Sequence, residues 1–283
     1  MPRVAVVTDS SACIPSSLAE KLRIRVLPIT VHLPGSDHPD GGDDLPKRVY
    51  QALQDDQPVK SSEPSLADYL GAIEEAEADA VMVVTPATEF TAMRDHATLA
   101  CELAARHAVT VDSRTAATGQ GLVVLEGAEA AAQGAGLDAV LRLVEAAARR
   151  VDLVASVTSL GHLRRSGRVP SASLTEPDPG GEQTMFRMRD GAVQPLAAAP
   201  SVPAALDAIQ SEWARGGGPG ATRAGIFHAD RPELAAELSA RLGSPSFVAA
   251  FSAAMGIHTG PGVVGAAWLP GPGRPRPAGA HRS

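Results

Sequence analysis

Aromatic residues are scarce in this 283-residue chain: two Trp, two Tyr and five Phe make up 3% of it, while apolar residues reach 44%. A core built from such a sequence rests on Ala, Val and Leu, with little expected from specific aromatic packing. Cysteine is scarcer still. Cys13 and Cys101 lie in separate segments, with neither metal-ligand spacing nor a disulfide framework around them, a usage that fits a reducing cytoplasm. No stretch approaches the ~20 apolar residues needed to cross a bilayer, and "MPRVAVVTDSS" is a short β-branched run instead of a signal peptide. Positive charge is also short, with 25 Lys+Arg against 32 Asp+Glu for a net charge of -7. No basic block stands beside aromatics, so the electrostatic footprint of a nucleic-acid binder is missing. The phosphate-cradling loops G-x-x-x-x-G-K-[ST] and G-x-G-x-x-G and the hydrolase elbow G-x-S-x-G are absent, which removes support for nucleotide binding and standard hydrolase chemistry.

What is present is an alternation of strand and helix. "VAVVT" (4–8), "IRVLPITVHL" (24–33), "AVMVVT" (80–85), "AVTVDS" (108–113) and "LVASVT" (153–158) are β-rich. Between them, Leu66, Tyr69, Leu70 and Ile73 repeat at helical spacing, and "ATLACELAARHA" and "LDAVLRLVEAAARR" read as helices. This order predicts a parallel sheet covered on both faces. After residue 158 the texture changes: "MFRMRDGAVQPL" places two short strands across Asp190 and Gly191, a hairpin signal, and the strands "ATRAGIFHA", "SFVAAFS" and "VVGAAWL" follow. The expected architecture is α/β in two domains, a three-layer parallel-sheet domain over residues 1–157 and a mixed or antiparallel α/β domain over 158–270. The Pro/Gly-rich end, 271–283, reads as a disordered tail.

In open parallel sheets ligands sit beyond the carboxyl ends of the strands, where loops feed helix N-termini. Those places are polar here: Thr8 to Ser11, Thr85 to Thr91, Asp112 and Ser113, and "KSSEPS" at 60–65. In the last, Ser65 is an N-cap with Asp68 as its capping-box partner, which leaves Ser61 and Ser62 either decorating a turn or gripping an anion near a helix N-terminus. Thr91, where a loop enters a helix bearing Leu99 and Leu103, is a second N-cap or oxygen-binding candidate. His258 and Thr259, before a Gly-Pro-Gly turn, are a third, against the ordinary reading of a lone histidine as a structural donor. "HLPGSDHPDGGDD" matches neither a zinc site nor a calcium loop and reads as a solvated acidic loop, so no metal is expected. Arg164, Arg165 and Arg168 cluster in "LGHLRRSGRV", where they could meet a phosphate, an acidic partner or water.

Taken together and in this order, "VVTDSSACIP", "KSSEPS", "TVDSRTAATGQGLVVLEGAEAAAQG", "LGHLRRSGRV" and "GIHTGPGVVG" resemble the DegV family of bacterial fatty-acid-binding proteins, from about residue 4 to 269. The resemblance implies a two-domain carrier with a long-chain fatty acid buried between its lobes and presented to a separate fatty-acid kinase subunit, with no cofactor and no catalytic residues. By the same resemblance Ser61, Ser62, Thr91, Ala92, His258 and Thr259 bind the fatty acid, hydroxyls holding its carboxylate and His258 lying near the head group, while Arg165 and Arg168 are candidate contacts to the partner or the phosphate. Glu63 stands where the family has glutamine. In another register Thr88 or Glu89 would replace Thr91, and Glu89 would repel a carboxylate. The competing class is an acyl- or phosphate-ester hydrolase using Ser61, His258 and Asp9 as nucleophile, base and orienter.

Overall fold

The computed structural model describes residues 4–42, 44–158, 162 and 182–271. Four strands form a parallel sheet in the order β2-β1-β6-β7: β1 (Val4–Asp9), β2 (Arg25–Leu27), β6 (Ala80–Thr85) and β7 (His107–Asp112). Helices α3 (Leu66–Glu74) and α4 (Met93–Leu103) cover one face, meeting Val7, Val81 and Val83 through Tyr69, Ile73, Ala97 and Ala100. The other face, with Val6, Met82 and Val84, packs on α5 (Ala117–Ala132) and α6 (Leu137–Arg150). This is the α/β/α arrangement that strands alternating with amphipathic helices require. Leu99 and Leu103, read as the apolar stripe of α4, are exposed, because its buried face is instead Met93, Ala97 and Ala100.

The long run at 24–33 is two strands and not one. Pro28 interrupts it, and after the break β3 (Thr30–Leu33) leaves the parallel sheet to form a small antiparallel sheet in the order β4-β3-β5, with β4 (Ser36–Pro39) and β5 (Lys60–Ser62). Proline lacks the N–H that a continuous ladder would need.

The third sheet is six-stranded and mixed, ordered β10-β9-β8-β13-β11-β12. Its strands are β8 (Asp152–Val157), β9 (Thr184–Arg189), β10 (Ala192–Pro195), β11 (Ala221–His228), β12 (Phe247–Ala250) and β13 (Val264–Pro270). β9 and β10 are the expected hairpin. Asp190 (φ 53) and Gly191 (φ 79) both take the left-handed conformation that a tight two-residue turn demands. β8 departs from expectation, since it pairs with β9 and β13, so sheet membership changes before residue 152 and not after 157. The outer face of this sheet carries α7 (Val202–Arg215) and α8 (Pro232–Leu242), joined to it through Trp268, Ile226, Leu206 and Leu238. Its inner face meets α5, which also packs on β1 and β6. A last helix, α9 (Ala253–Thr259), follows β12.

α5 is therefore the hinge of the architecture, apolar or small at nearly every position and buried on all sides. Gly121 shows why: a Cβ there would lie 2.6 Å from the backbone oxygen of Ala12. No helix among the described residues is long and apolar enough to cross a membrane. The expected tail beyond Gly271 and the arginines at 164, 165 and 168 lie outside the described residues.

Candidate functional site

A cavity open to solvent lies between the inner face of the six-stranded sheet, the small sheet, α9 and the loops at the carboxyl end of the parallel sheet. From the mixed sheet come Leu153, Phe186, Met188, Val193 and Phe227; from α9 and its preceding loop, Phe251, Ala254, Met255, His258 and Thr259. The alternation of β9 turns Phe186 and Met188 inward while Arg187 and Arg189 turn out. Phe90 lines it as well, so four of the chain's five phenylalanines face this one space. Phe227 and Phe251 stack with centroids 5.1 Å apart and planes at 4°. The expectation that aromatic packing contributes little is corrected here: the few aromatics are concentrated at one place.

The polar groups of the lining are Ser11, Ser61, Glu63, Thr91, His258 and Thr259, and no Lys or Arg is among the described residues that line it. Four of them form one cluster. Ser61 sits on β5 opposite Val31, and its hydroxyl lies 3.4 Å from His258 Nε2. Two residues on, Glu63 accepts a hydrogen bond from the Thr91 hydroxyl. That oxygen also accepts from the amide of Met93 at 3.3 Å, so Thr91 closes the first turn of α4 while facing the cavity.

His258 owes its position to residues far away in sequence. Ser252 caps α9, and the buried carboxylate of Asp40 accepts from the amide of Ala253 at 2.8 Å and from the hydroxyl of Ser10 at 2.7 Å. A carboxylate at a helix N-terminus is favourably placed against the dipole. Burial raises the Asp40 pKa, against the hydrogen bonds from Ser10, Ser252 and the α9 amides. The stretch around it was expected to be a solvated loop. Instead it forms β4, and Asp40 is only 6% exposed.

The remaining sequence candidates divide. Ser62 is turned away from the cavity by strand alternation and meets His32 Nε2 at 2.7 Å on an exposed surface. Ala92 is exposed and outside the lining. Thr259 lines the cavity, but its hydroxyl donates to the carbonyls of Met255 (3.2 Å) and Gly260 (3.1 Å). Of the alternatives in the Thr91 loop, Thr88 bonds Asp112 at 2.7 Å and Glu89 abuts Gly191 of the β9–β10 turn, so Thr91 alone of the three faces the cavity. KSSEPS is accordingly a strand leading into a capped helix: the capping box between Ser65 and Asp68 forms, while Ser61 belongs to β5 and not to a helix N-terminus. Sequence reasoning missed Phe90, Phe186, Phe227, Phe251, Met93, Met188 and Met255. The scarcity of Phe, with its clustering near strand ends, was the available signal.

Asp9 is held by residues of its own neighbourhood. Its carboxylate accepts from the amide of Ser11 at 2.9 Å, from the Ser11 hydroxyl, and from Gln120 Nε2 at 3.1 Å, so the orienter that the hydrolase reading needs is engaged elsewhere. Burial pushes the Asp9 carboxyl up to about 6, although the hydrogen bonds from Ser11 and Gln120 oppose that shift. The folded-state value exceeds the ordinary one of about 4, so the folded protein binds this proton more tightly than the unfolded chain does. The stability this supplies is fully present below about pH 4 and is lost as pH rises through 6, a span of roughly 3 kcal/mol. Asp9→Asn should remove that component. Urea midpoints measured from pH 4 to 8 should fall more steeply between pH 4 and 6 in the parent than in the variant, and parallel curves would refute the assignment.

A family model for DegV, described as an uncharacterised protein family, matches residues 3–271. A DegV domain-containing protein of Streptomyces coelicolor is 27% identical over 93% of this chain and 96% of its own length. One of Mycobacterium tuberculosis is 29% identical over 93% and 95%. Among solved structures, a DegV family protein from Thermus thermophilus described by its fatty acid binding superposes with a TM-score of 0.85, at 27% identity over 95% of this chain and 99% of that one.

Proposed function

Because the chain belongs to the DegV family, we propose that it binds a long-chain fatty acid in the cavity between its sheets, with the carboxyl group at Ser61, Thr91 and His258. The observation that carries this reading is the division of the lining: an apolar wall rich in Phe and Met, with Ser61, Glu63, Thr91 and His258 gathered into one cluster. The fatty acid binding of the Thermus thermophilus relative supports the ligand class.

The energetics agree with the division. Each buried CH₂ contributes about 0.8 kcal/mol, so a tail of roughly 14 to 18 carbons supplies more than 10 kcal/mol gross, from which the cost of association is subtracted. Hydroxyls and a histidine at the head supply orientation without burying a Lys or Arg, whose desolvation would be costly. Presentation to a separate fatty-acid kinase subunit belongs to the same proposal and rests on the family resemblance.

Native mass spectrometry of the purified protein tests the reading directly: a carrier retains an acyl ligand in stoichiometric amount. An empty protein that turns over a chromogenic ester would favour the hydrolase instead. The paired substitution Ser61→Ala with Thr91→Ala should weaken acyl retention by about tenfold or more, since each hydrogen bond of this kind contributes roughly 0.5 to 3 kcal/mol. Unchanged affinity in that variant would remove the head-group assignment.

A further inference from the structure

Two buried hydroxyls stand behind the polar cluster. Tyr69 and Thr85 are both 0% exposed, and neither hydroxyl has a hydrogen-bond partner among the described residues. A buried donor left unmade carries its full desolvation cost, and such a group marks a place that something else completes. Both lie at the carboxyl end of the parallel sheet. Val83 faces α3 and α4, and strand alternation turns Thr85, two residues on, to the same side. Val7 pairs with Val83 and the Thr8 hydroxyl donates to the Val84 carbonyl, so the strand ends stay in register and Asp9 adjoins Thr85. Tyr69 comes from the start of α3 and joins Val7, Val81 and Val83 in one apolar cluster. Burial first, and then the charges of Asp9, Glu63 and Asp68, push its pKa up, so it remains a neutral donor near those carboxyls.

In front of this pair, Ser11, Glu63, Pro86 and Thr91 form part of the cavity wall, with Pro86 directly after Thr85 and Ser11 two residues after Asp9. Neither Tyr69 nor Thr85 is itself a lining residue. A hydroxyl one layer back reaches a ligand oxygen only through a bridging group, and a water with roughly two to four polar partners is the group that buried hydroxyls hold. Resting on the fatty-acid reading above, we infer that Tyr69 is a positioning residue for the head group: with Thr85 it holds an internal water that donates to the bound carboxylate from behind the wall. Both hydroxyls donate to the oxygen of this water, which completes them and leaves its own hydrogens for the acid.

The chain's other tyrosine supplies the contrast. Tyr50 is also buried with an unpartnered hydroxyl, but it packs against Gly256, and the titratable groups that act on it, Asp230, Cys13 and Asp40, are all outside the lining. Tyr69 differs in having Glu63, a lining residue, among its neighbours.

Calorimetry of palmitate and of hexadecanol with the delipidated full-length protein, each below its aggregation limit, tests this. Tyr69→Phe should weaken palmitate about tenfold, the scale of one hydrogen bond to a charged acceptor, and hexadecanol less than about threefold. The empty variant should melt no lower than the empty parent, because the phenol bonds no protein group. Thr85→Val should weaken palmitate likewise, and the double variant should bind no more weakly than the weaker single one, since both act through the same water. Tyr50→Phe should leave palmitate affinity unchanged. A second measurement needs no altered cavity: with carbon-13 at the tyrosine Cζ the chain gives two signals, and the one assigned to Tyr69 should move on addition of palmitate. A lowered melt of Tyr69→Phe with an unchanged ratio of palmitate to hexadecanol affinity would show a hydroxyl that serves only the fold and would overturn the proposal. Additive losses in the double variant, an equal loss in Tyr50→Phe, or a Tyr69 signal that stays in place would overturn it as well, each leaving the fatty-acid reading intact. A parent that binds neither palmitate nor hexadecanol would overturn the fatty-acid reading itself.

Discussion

Ala116→Phe should abolish most acyl retention while leaving the fold in place. Ala116 lines the cavity and is 8% exposed. Its backbone is extended, with φ -147 and ψ -178, a conformation open to any residue, so a larger side chain here meets empty space and no strained turn. A phenyl ring projecting into the cavity occupies the volume of several methylenes. If it displaces about four CH₂ groups of a bound tail, the loss is near 3 kcal/mol, on the order of 100-fold in affinity. The empty variant should be no less stable than the empty parent, because the ring gains apolar contacts that the cavity otherwise forgoes. Native mass spectrometry and a thermal melt of delipidated protein check the two halves independently. Full acyl occupancy with an intact melt would mean that the cavity is not where the tail lies.

The features read correctly from sequence are those whose physics is local. The Ser65–Asp68 capping box and the Asp190–Gly191 turn each follow from a few adjacent residues, and both form as read. Where burial is decided by distant partners, reading was poorer. α5 shows no usable period because it is enclosed by both large sheets, and a helix buried on every side has no polar face to betray its pitch. Leu99 and Leu103 kept helical spacing yet face outward, since small residues on α4 allow the close approach to the sheet that leucines would prevent. Asp40 looked like one more solvated acid. Its partners, Ser10 and the amide of Ala253, come from segments 30 and 213 residues away. The same holds for the site. Ser61, Thr91 and His258 were legible as polar residues in suggestive loops, and the cavity does bring them together. The inward aromatic wall depends on strand pairing across the mixed sheet, which no local pattern specifies.

On the far side of that sheet, Asp152→Ala should cost about 3 to 5 kcal/mol of stability, more than a point substitution usually does. Asp152 is 1% exposed and serves two guanidinium groups that are themselves buried, Arg187 at 8% and Arg189 at 6%. Its Oδ2 accepts from Arg189, while Oδ1 lies 3.1 Å from Arg187 Nε, an ion pair bent too far to count as a hydrogen bond. Arg187 is further tied to Glu212 of α7 at 2.6 Å, so the carboxylate stands at the centre of a link between β8, β9 and the helix outside them. Removing Asp152 takes a buried carboxylate away from both guanidinium groups in a poorly solvated place, and that lost compensation, not the lost contact, is the source of the cost. A lowered urea midpoint at unchanged m-value would show it. Replacing all three members together, Asp152→Leu with Arg187→Met and Arg189→Leu, should recover most of the loss, because Glu212, which then loses Arg187, keeps Arg215 as its partner. Equal damage from the single and the triple change would mean that the ion pairs themselves hold the sheet. Since β-strand alternation puts this cluster on the face opposite Leu153, Phe186 and Met188, the fraction of Asp152→Ala protein that stays folded should bind its ligand with parental affinity.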